Sequence, residues 1–156
     1  MTQGNLACTY RSLGRLDEAL ALRRDVYSGN VKYLGEEHRC SLIEAYNYAN
    51  CLVDIRRFDE VKSLMRKTIH VARRVRGESN ELTLKMRSIY AVALYKDESA
   101  TLDDLNEAVT TLEDAERIAR RVLGSAHPTV ASIGPNLRRV RAALRARETP
   151  SPPGSA

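Results

Sequence analysis

Shifted by 42 residues, this sequence lies over itself, and that self-similarity constrains the fold more than any local pattern. Asn5-Leu6-Ala7 falls on Asn47-Tyr48-Ala49, and Leu16-Asp17-Glu18-Ala19 falls on Phe58-Asp59-Glu60-Val61. Leu22 meets Leu64, Gly35 meets Gly77 and Leu42 meets Leu84, with no gap. A second shift of 42 sets Ala49 on Ala91 and Leu52 on Leu94. The register then slips by five residues around Lys96-Asp97-Glu98-Ser99-Ala100, and a shift of 47 restores it. Ala72-Arg73-Arg74-Val75-Arg76-Gly77 thereby matches Ala119-Arg120-Arg121-Val122-Leu123-Gly124, and Asn136-Leu137 opens a partial fourth unit.

Each unit reads as two helices. The first carries apolar residues at helical spacing, as in Leu42, Ala45, Ala49, Leu52 and Ile55. A short turn follows, Gly14-Arg15 or Arg56-Arg57, and the second helix begins near an acidic pair, Asp17-Glu18 or Asp59-Glu60, which suits the positive end of a helix dipole. The second helix stops at Gly35, Gly77 or Gly124, where glycine can take a left-handed conformation. Lys32, Arg73-Arg74 and Arg120-Arg121 crowd the last turns and oppose the negative helix end. Polar turns lead on, and Pro128 suits the first position of the next helix. Ala7, Ala49 and Ala91 are small at one place in each first helix, and Tyr10, Leu52 and Leu94 are large one turn later, a pattern for close helix pairing. One such pair cannot bury its stripe; three stacked pairs build a continuous core. The expectation is an all-α superhelix of about three helix–turn–helix repeats plus a C-terminal capping helix. Its units span residues 1–37, 38–79 and 80–126, the cap spans 127–147, and residues 148–156 form a disordered tail. Gly29, inside the first unit's second helix, points to a bend there, and Gly134-Pro135 to a final helix that begins only at Pro135. Thr101 with Asp104 has the spacing of a capping box that restarts the chain after the five-residue slip.

The residue pattern Asn5-Leu6-Ala7, Tyr10, Gly14-Arg15, Asp17-Glu18-Ala19-Leu20, with Leu34 to His38 and Leu123 to His127 closing their units, resembles tetratricopeptide repeats of the long 42-residue variety found in kinesin light chains and related scaffolds. The resemblance spans roughly residues 5–144. It implies a tetratricopeptide solenoid, a right-handed superhelix whose first helices line a concave groove that holds an extended peptide or a partner helix. It also implies that the asparagines Asn5, Asn47 and Asn136, which share one place in the repeat, face that groove, with Asn50 one turn beyond Asn47. An Asn amide offers donors and an acceptor, so it can pair with a peptide unit whatever that peptide's side chains. In the third unit Ile89 and Val92 stand at the equivalent places, which would set an apolar pocket beside the amides.

Other functions find little support. No glycine-rich phosphate loop, no G-x-S-x-G and no H-E-x-x-H is present, so no catalytic residue, metal ligand set or cofactor is assigned. His38 and His127 fall at the repeat's own turn, where a structural role accounts for them. Cys8, Cys40 and Cys51 lack paired spacing and read as buried free thiols of a reducing compartment, hence a cytoplasmic protein. No apolar run approaches the roughly 20 residues of a membrane span, and the N-terminus carries no secretory pattern. The net charge of +5 raises the alternative of a nucleic-acid-binding helical repeat using its basic second helices. Residues 38–76 hold nine Lys/Arg against four acids, but residues 77–124 hold six against ten, which interrupts the continuous basic stripe a phosphate backbone requires. The residues therefore point to a non-catalytic protein-binding scaffold with a protein or peptide ligand, compatible with a piece of a longer repeat array.

Overall fold

The computed structural model describes residues 12–149 and Gly154. Six helices follow one another: α1 (Leu16–Leu34), α2 (Arg39–Asp54), α3 (Phe58–Arg76), α4 (Glu81–Lys96), α5 (Leu102–Leu123) and α6 (Pro128–Glu148). There is no strand among the described residues, and no helix among them is long and apolar enough to cross a membrane. Residues 1–11, with Asn5, Cys8 and most of the expected first helix of the first unit, lie outside the described residues, as does most of the expected tail. Glu148 and Thr149 are the end and the C-cap of α6.

Consecutive helices pack as antiparallel neighbours, and a second layer of contact joins α2 to α4 and α4 to α6. Neighbouring second helices, α1 with α3 and α3 with α5, make no comparable contact. The first helices thus form a closed inner row and the second helices a splayed outer row, the geometry of a curved solenoid. Small residues allow it. Ala45, Ala49, Ala91, Ala93, Ala72, Ala108, Ala115 and Ala119 are fully buried at helix–helix contacts, and Leu42, Leu52, Leu84, Leu94, Met65 and Leu112 fill the layers between them. Central helix α4 is covered from both sides: eleven of its sixteen residues are buried, so its sequence shows no clean amphipathic stripe.

The helix ends repeat as faithfully as the core. His38, Asn80 and His127 occupy one position in the repeat, and each accepts a hydrogen bond from the backbone N–H two residues on, at Cys40, Leu82 and Thr129. The turn histidines are therefore N-caps, with imidazole Nδ1 doing what the Asn80 carboxamide oxygen does. Gly35, Gly77 and Gly124 close the second helices at φ 90°, 91° and 90° with ψ near 160°, an extended positive-φ conformation rather than the left-handed helical one expected, and one open essentially to glycine alone. The five-residue slip forms a turn in which Asp97 accepts from the Ser99 backbone and hydroxyl. Those bonds, then the Lys62 ammonium, hold its carboxyl below the usual range. Thr101 and Asp104 then make the expected capping box.

Three expectations need correction. Helix α1 runs through Gly29 without a bend; its backbone there is ordinary, and a Cβ would meet nothing within 4 Å. Helix α6 starts at Pro128, not Pro135, which sits inside it. Val130 and Ile133 before that proline and Leu137 and Val140 after it are buried on one face, so tertiary packing carries the helix across the missing N–H. Cys51 is buried as expected, but Cys40 is exposed, because it lies in the first turn of α2 off the apolar stripe.

Replacing Ala49 or Ala91 by Leu should lower stability by roughly 1–3 kcal/mol, because overpacking forces the helices apart. Ala142→Leu, on the exposed side of α6, should leave the melting temperature nearly unchanged; equal melts for all three would contradict this packing. Gly29→Ala should raise the melting temperature, since the helix interior gains about 1 kcal/mol with no new contact to accommodate.

Candidate groove between the first helices

Between α2 and α4, on the inner row, lies an open cleft of about 370 Å³. From α2 it takes Arg39, Ile43, Tyr46 and Asn47; Arg76 is the last residue of α3, Asn80 caps α4, and Glu81, Leu82 and Lys85 belong to α4. The i, i+4 and i+7, i+8 spacing of the α2 residues puts them on one helix face. Glu81 is bound by Lys85 at 3.0 Å and accepts from the Thr129 hydroxyl at 3.2 Å, which keeps its carboxyl below the usual range, the Lys85 bond first. Among the described residues, Arg39 and Arg76 make no ion pair. The cleft therefore joins a cationic rim to apolar side chains, the capping Asn80 and one further amide, that of Asn47.

That amide is held. Asn47 Nδ2 donates to Glu44 Oε1 at 3.2 Å, and Glu44 in turn accepts from Arg23 Nη1 of α1 at 3.0 and 3.2 Å. A carboxylate paired with a guanidinium accepts and does not donate, so Asn47 must present its nitrogen inward and its carbonyl oxygen outward. Asn50 is oriented in the same sense, donating Nδ2 to the Tyr46 carbonyl at 3.1 Å. Asn136 differs: it donates to the Ser132 carbonyl, while its oxygen accepts the Tyr95 hydroxyl at 2.8 Å. Burial raises the Tyr95 hydroxyl above its ordinary pKa, so it stays a donor.

The expected groove residues are thus spread unevenly. Asn47 lines the cleft, Asn50 stands half-buried one turn beyond it, and Asn136 is tied to Tyr95. Ile89 and Val92 are only 6% and 9% exposed, leaving little surface for a ligand, and Asn5 lies outside the described residues. Sequence reasoning missed Arg39, Tyr46, Arg76 and Lys85. In the sequence Arg76 is one more basic residue at a helix end; only the relative placement of α2 and α4 turns it toward the cleft.

The Arg23–Glu44 pair also departs from the repeat. Arg23 stands where later units carry Met65 and Leu112, and Glu44 where they carry Met86 and Ile133, all four fully buried. A buried ion pair has thus replaced an apolar contact, with side chains 8% and 14% exposed. On the outer row, basic side chains are largely tied: Lys67 to Glu36 at 2.9 Å and Arg74 to Glu37 between units, and Arg73 to Glu78 at 2.8 Å within one. No group of three or more His, Cys, Asp or Glu gathers in a metal-binding arrangement among the described residues.

Comparison with known proteins agrees with this architecture. Residues 1–39 match the tetratricopeptide repeat family. No curated protein sequence matches the chain. Among solved structures, a kinesin-light-chain-like protein of Podosopora anserina with nearly identical TPR-like repeats superposes with a TM-score of 0.79 at 23% identity, covering 94% of this chain and 67% of that one. BtubC (BKLC) of P. vanneervenii gives a TM-score of 0.59 at 16% identity, covering 99% and 67%. A second structure of the P. anserina protein, a single-substitution variant, gives 0.56 at 20%, covering 94% and 86%.

Replacing both Arg23 and Glu44 by Met, the residues that stand one repeat further on as Met65 and Met86, should leave stability unchanged or raise it, whereas Glu44→Ala alone should lower it, by up to about 3 kcal/mol, because it takes a carboxylate away from a buried guanidinium. Thermal melts of the two variants check this; a double variant as unstable as the single one would refute it.

Proposed function

We propose that this chain, a tetratricopeptide-repeat protein by its fold and by its first repeat, is a non-catalytic protein-binding module whose inner groove holds an extended peptide or a partner helix. The observation that carries this reading is the α2–α4 cleft, where a pre-oriented Asn47 amide, the apolar Ile43 and Leu82, and the unpaired Arg39 and Arg76 converge. A ligand main-chain N–H would find the outward Asn47 oxygen, and Asn50 would take a second along the same helix face. Residual edges of Ile89 and Val92 and the free hydrogen of the Asn136 amide would extend the track along α4 and α6, with Asn5 at its other end. The cationic rim favours a segment carrying carboxylates. We place the module in the cytoplasm as a scaffold component, since the exposed free thiol of Cys40 suits a reducing compartment.

Such a groove gains specificity from few contacts, and pre-orientation lowers the entropy lost on binding. A partner captured from native extract and mapped to a synthetic peptide provides the assay. Asn47→Ala with Asn50→Ala should then weaken that peptide at least tenfold with the melting temperature nearly unchanged, since each amide bond lost to a ligand is worth about 1 kcal/mol. Unchanged affinity would place the ligand elsewhere on the molecule.

A further inference from the structure

Position 87 breaks the repeat. Where α2 carries Ala45 and α6 carries Gly134, α4 carries Arg87. Its side chain is buried beneath the outer row, with the residue 5% exposed. Asp114 of α5 takes Nη2 at 2.6 Å. That bond is the main reason the Asp114 carboxyl is held below its usual range. Glu78 approaches Nη1 only to 3.6 Å, too far for a hydrogen bond. Nε and Nη1 are both buried without a hydrogen-bond partner. A guanidinium withdrawn from water with two nitrogens unmatched is an unfavourable arrangement at a place where the fold elsewhere uses Ala or Gly. Helix packing alone does not account for it.

The same guanidinium forms the floor of a cleft of about 330 Å³ between α3 and α5, where the second helices splay apart. Arg66, His70 and Arg73 of α3 and Tyr90 of α4 line it, with Glu107 and Thr111 of α5 opposite. The carboxylates nearby are already engaged. Glu107 accepts the Tyr90 hydroxyl at 2.7 Å, Glu78 is bound to Arg73, and Asp114 is shared by Arg87 and Arg117. Arg66 spends its Nε on the Tyr90 oxygen at 3.0 Å, which leaves its terminal nitrogens available to a further acceptor. The buried groups left unmatched at this cleft, Arg87 Nε and Nη1, are both donors.

We propose that this outer cleft binds a phosphate-sized oxyanion, with Arg87 at its base and Arg66, Arg73 and His70 at its walls. The exposed side chains of Arg66 and Arg73 rotate to admit it, and the anion supplies the acceptors that Arg87 lacks. The site faces away from the α2–α4 groove, so it does not depend on how that groove is used. Free inorganic phosphate and a phosphorylated side chain of another protein share this chemistry.

Arginine Nε–H resonances of the 15N-labelled chain, followed while inorganic phosphate replaces chloride at constant ionic strength, test the proposal. Saturable movement of the Arg87 signal is expected, with a phosphate-dependent rise in melting temperature. Arg87→Ala restores the residue of the second unit and should fold; it should abolish both effects. Arg66→Ala should weaken the interaction roughly tenfold, the loss of one charge-assisted bond, and Arg145→Ala at the far end of α6 should leave it intact. Shifts that do not saturate, that spread evenly over surface arginines, or that persist without Arg87 overturn the proposal. A parallel titration with N-acetyl-phosphoserine amide distinguishes the sources: tighter binding than inorganic phosphate assigns a phosphorylated protein, equal or weaker binding assigns the free anion.

Discussion

Close approach of helices at alanine holds this molecule together. Ala49 and Ala91 let each first helix settle against its partner, and Leu52 and Leu94 one turn on fill the layer this creates. None of these contacts closes a core within one unit. Helix α4 shows the consequence: it is buried on nearly every side because α3, α5, α2 and α6 all lean on it. Stability in such a stack is a sum of neighbour terms, so α4 and its two interfaces are what the remaining helices depend on.

The inner and outer rows follow from that packing. First helices touch along the stack and expose a continuous surface, whereas second helices splay and leave gaps floored by the inner row. Two kinds of recess result. The inner one, between α2 and α4, combines apolar residues with a fixed amide and unpaired arginines. The outer one, between α3 and α5, is polar and ends on a buried guanidinium. In the first two units the corresponding outer gap is nearly filled by Tyr27, Thr68 and Val71, and Ala45 lies at the position of Arg87. The outer recess is thus a local departure from a regular architecture.

Polar departures from the repeat share a logic. Arg23–Glu44 replaces an apolar pair, yet Glu44 also accepts from Asn47, so a polar replacement in the core reaches the α2–α4 cleft. At the far end of the stack, α6 carries Arg138 and Arg141 where α4 carries Ala91 and Leu94. Its other face, Val130, Ile133, Leu137 and Val140, is buried, and Arg141 pairs with Glu113 of α5 at 2.7 Å. The arginines keep that side in water while the apolar side completes the core.

Register, helix number among the described residues and most helix ends were legible in the sequence, because they rest on interactions within a few residues of one another. Gly35, Gly77 and Gly124 stop helices by their own backbone freedom, His38, Asn80 and His127 cap the N–H two residues on, and Thr101 and Asp104 close a capping box. A fixed period then copied these local decisions along the chain. Tertiary structure decided what depends on a neighbour from another helix. It carried α6 through Pro135, since apolar burial on both sides outweighs one lost hydrogen bond. It turned Arg76 toward the groove, joined Arg23 to Glu44 across 21 positions and Arg87 to Asp114 across 27, and tied the Asn136 oxygen to Tyr95. A repeat assigns each residue its phase, but residues in one phase meet different partners in each unit, and those partners set their chemistry.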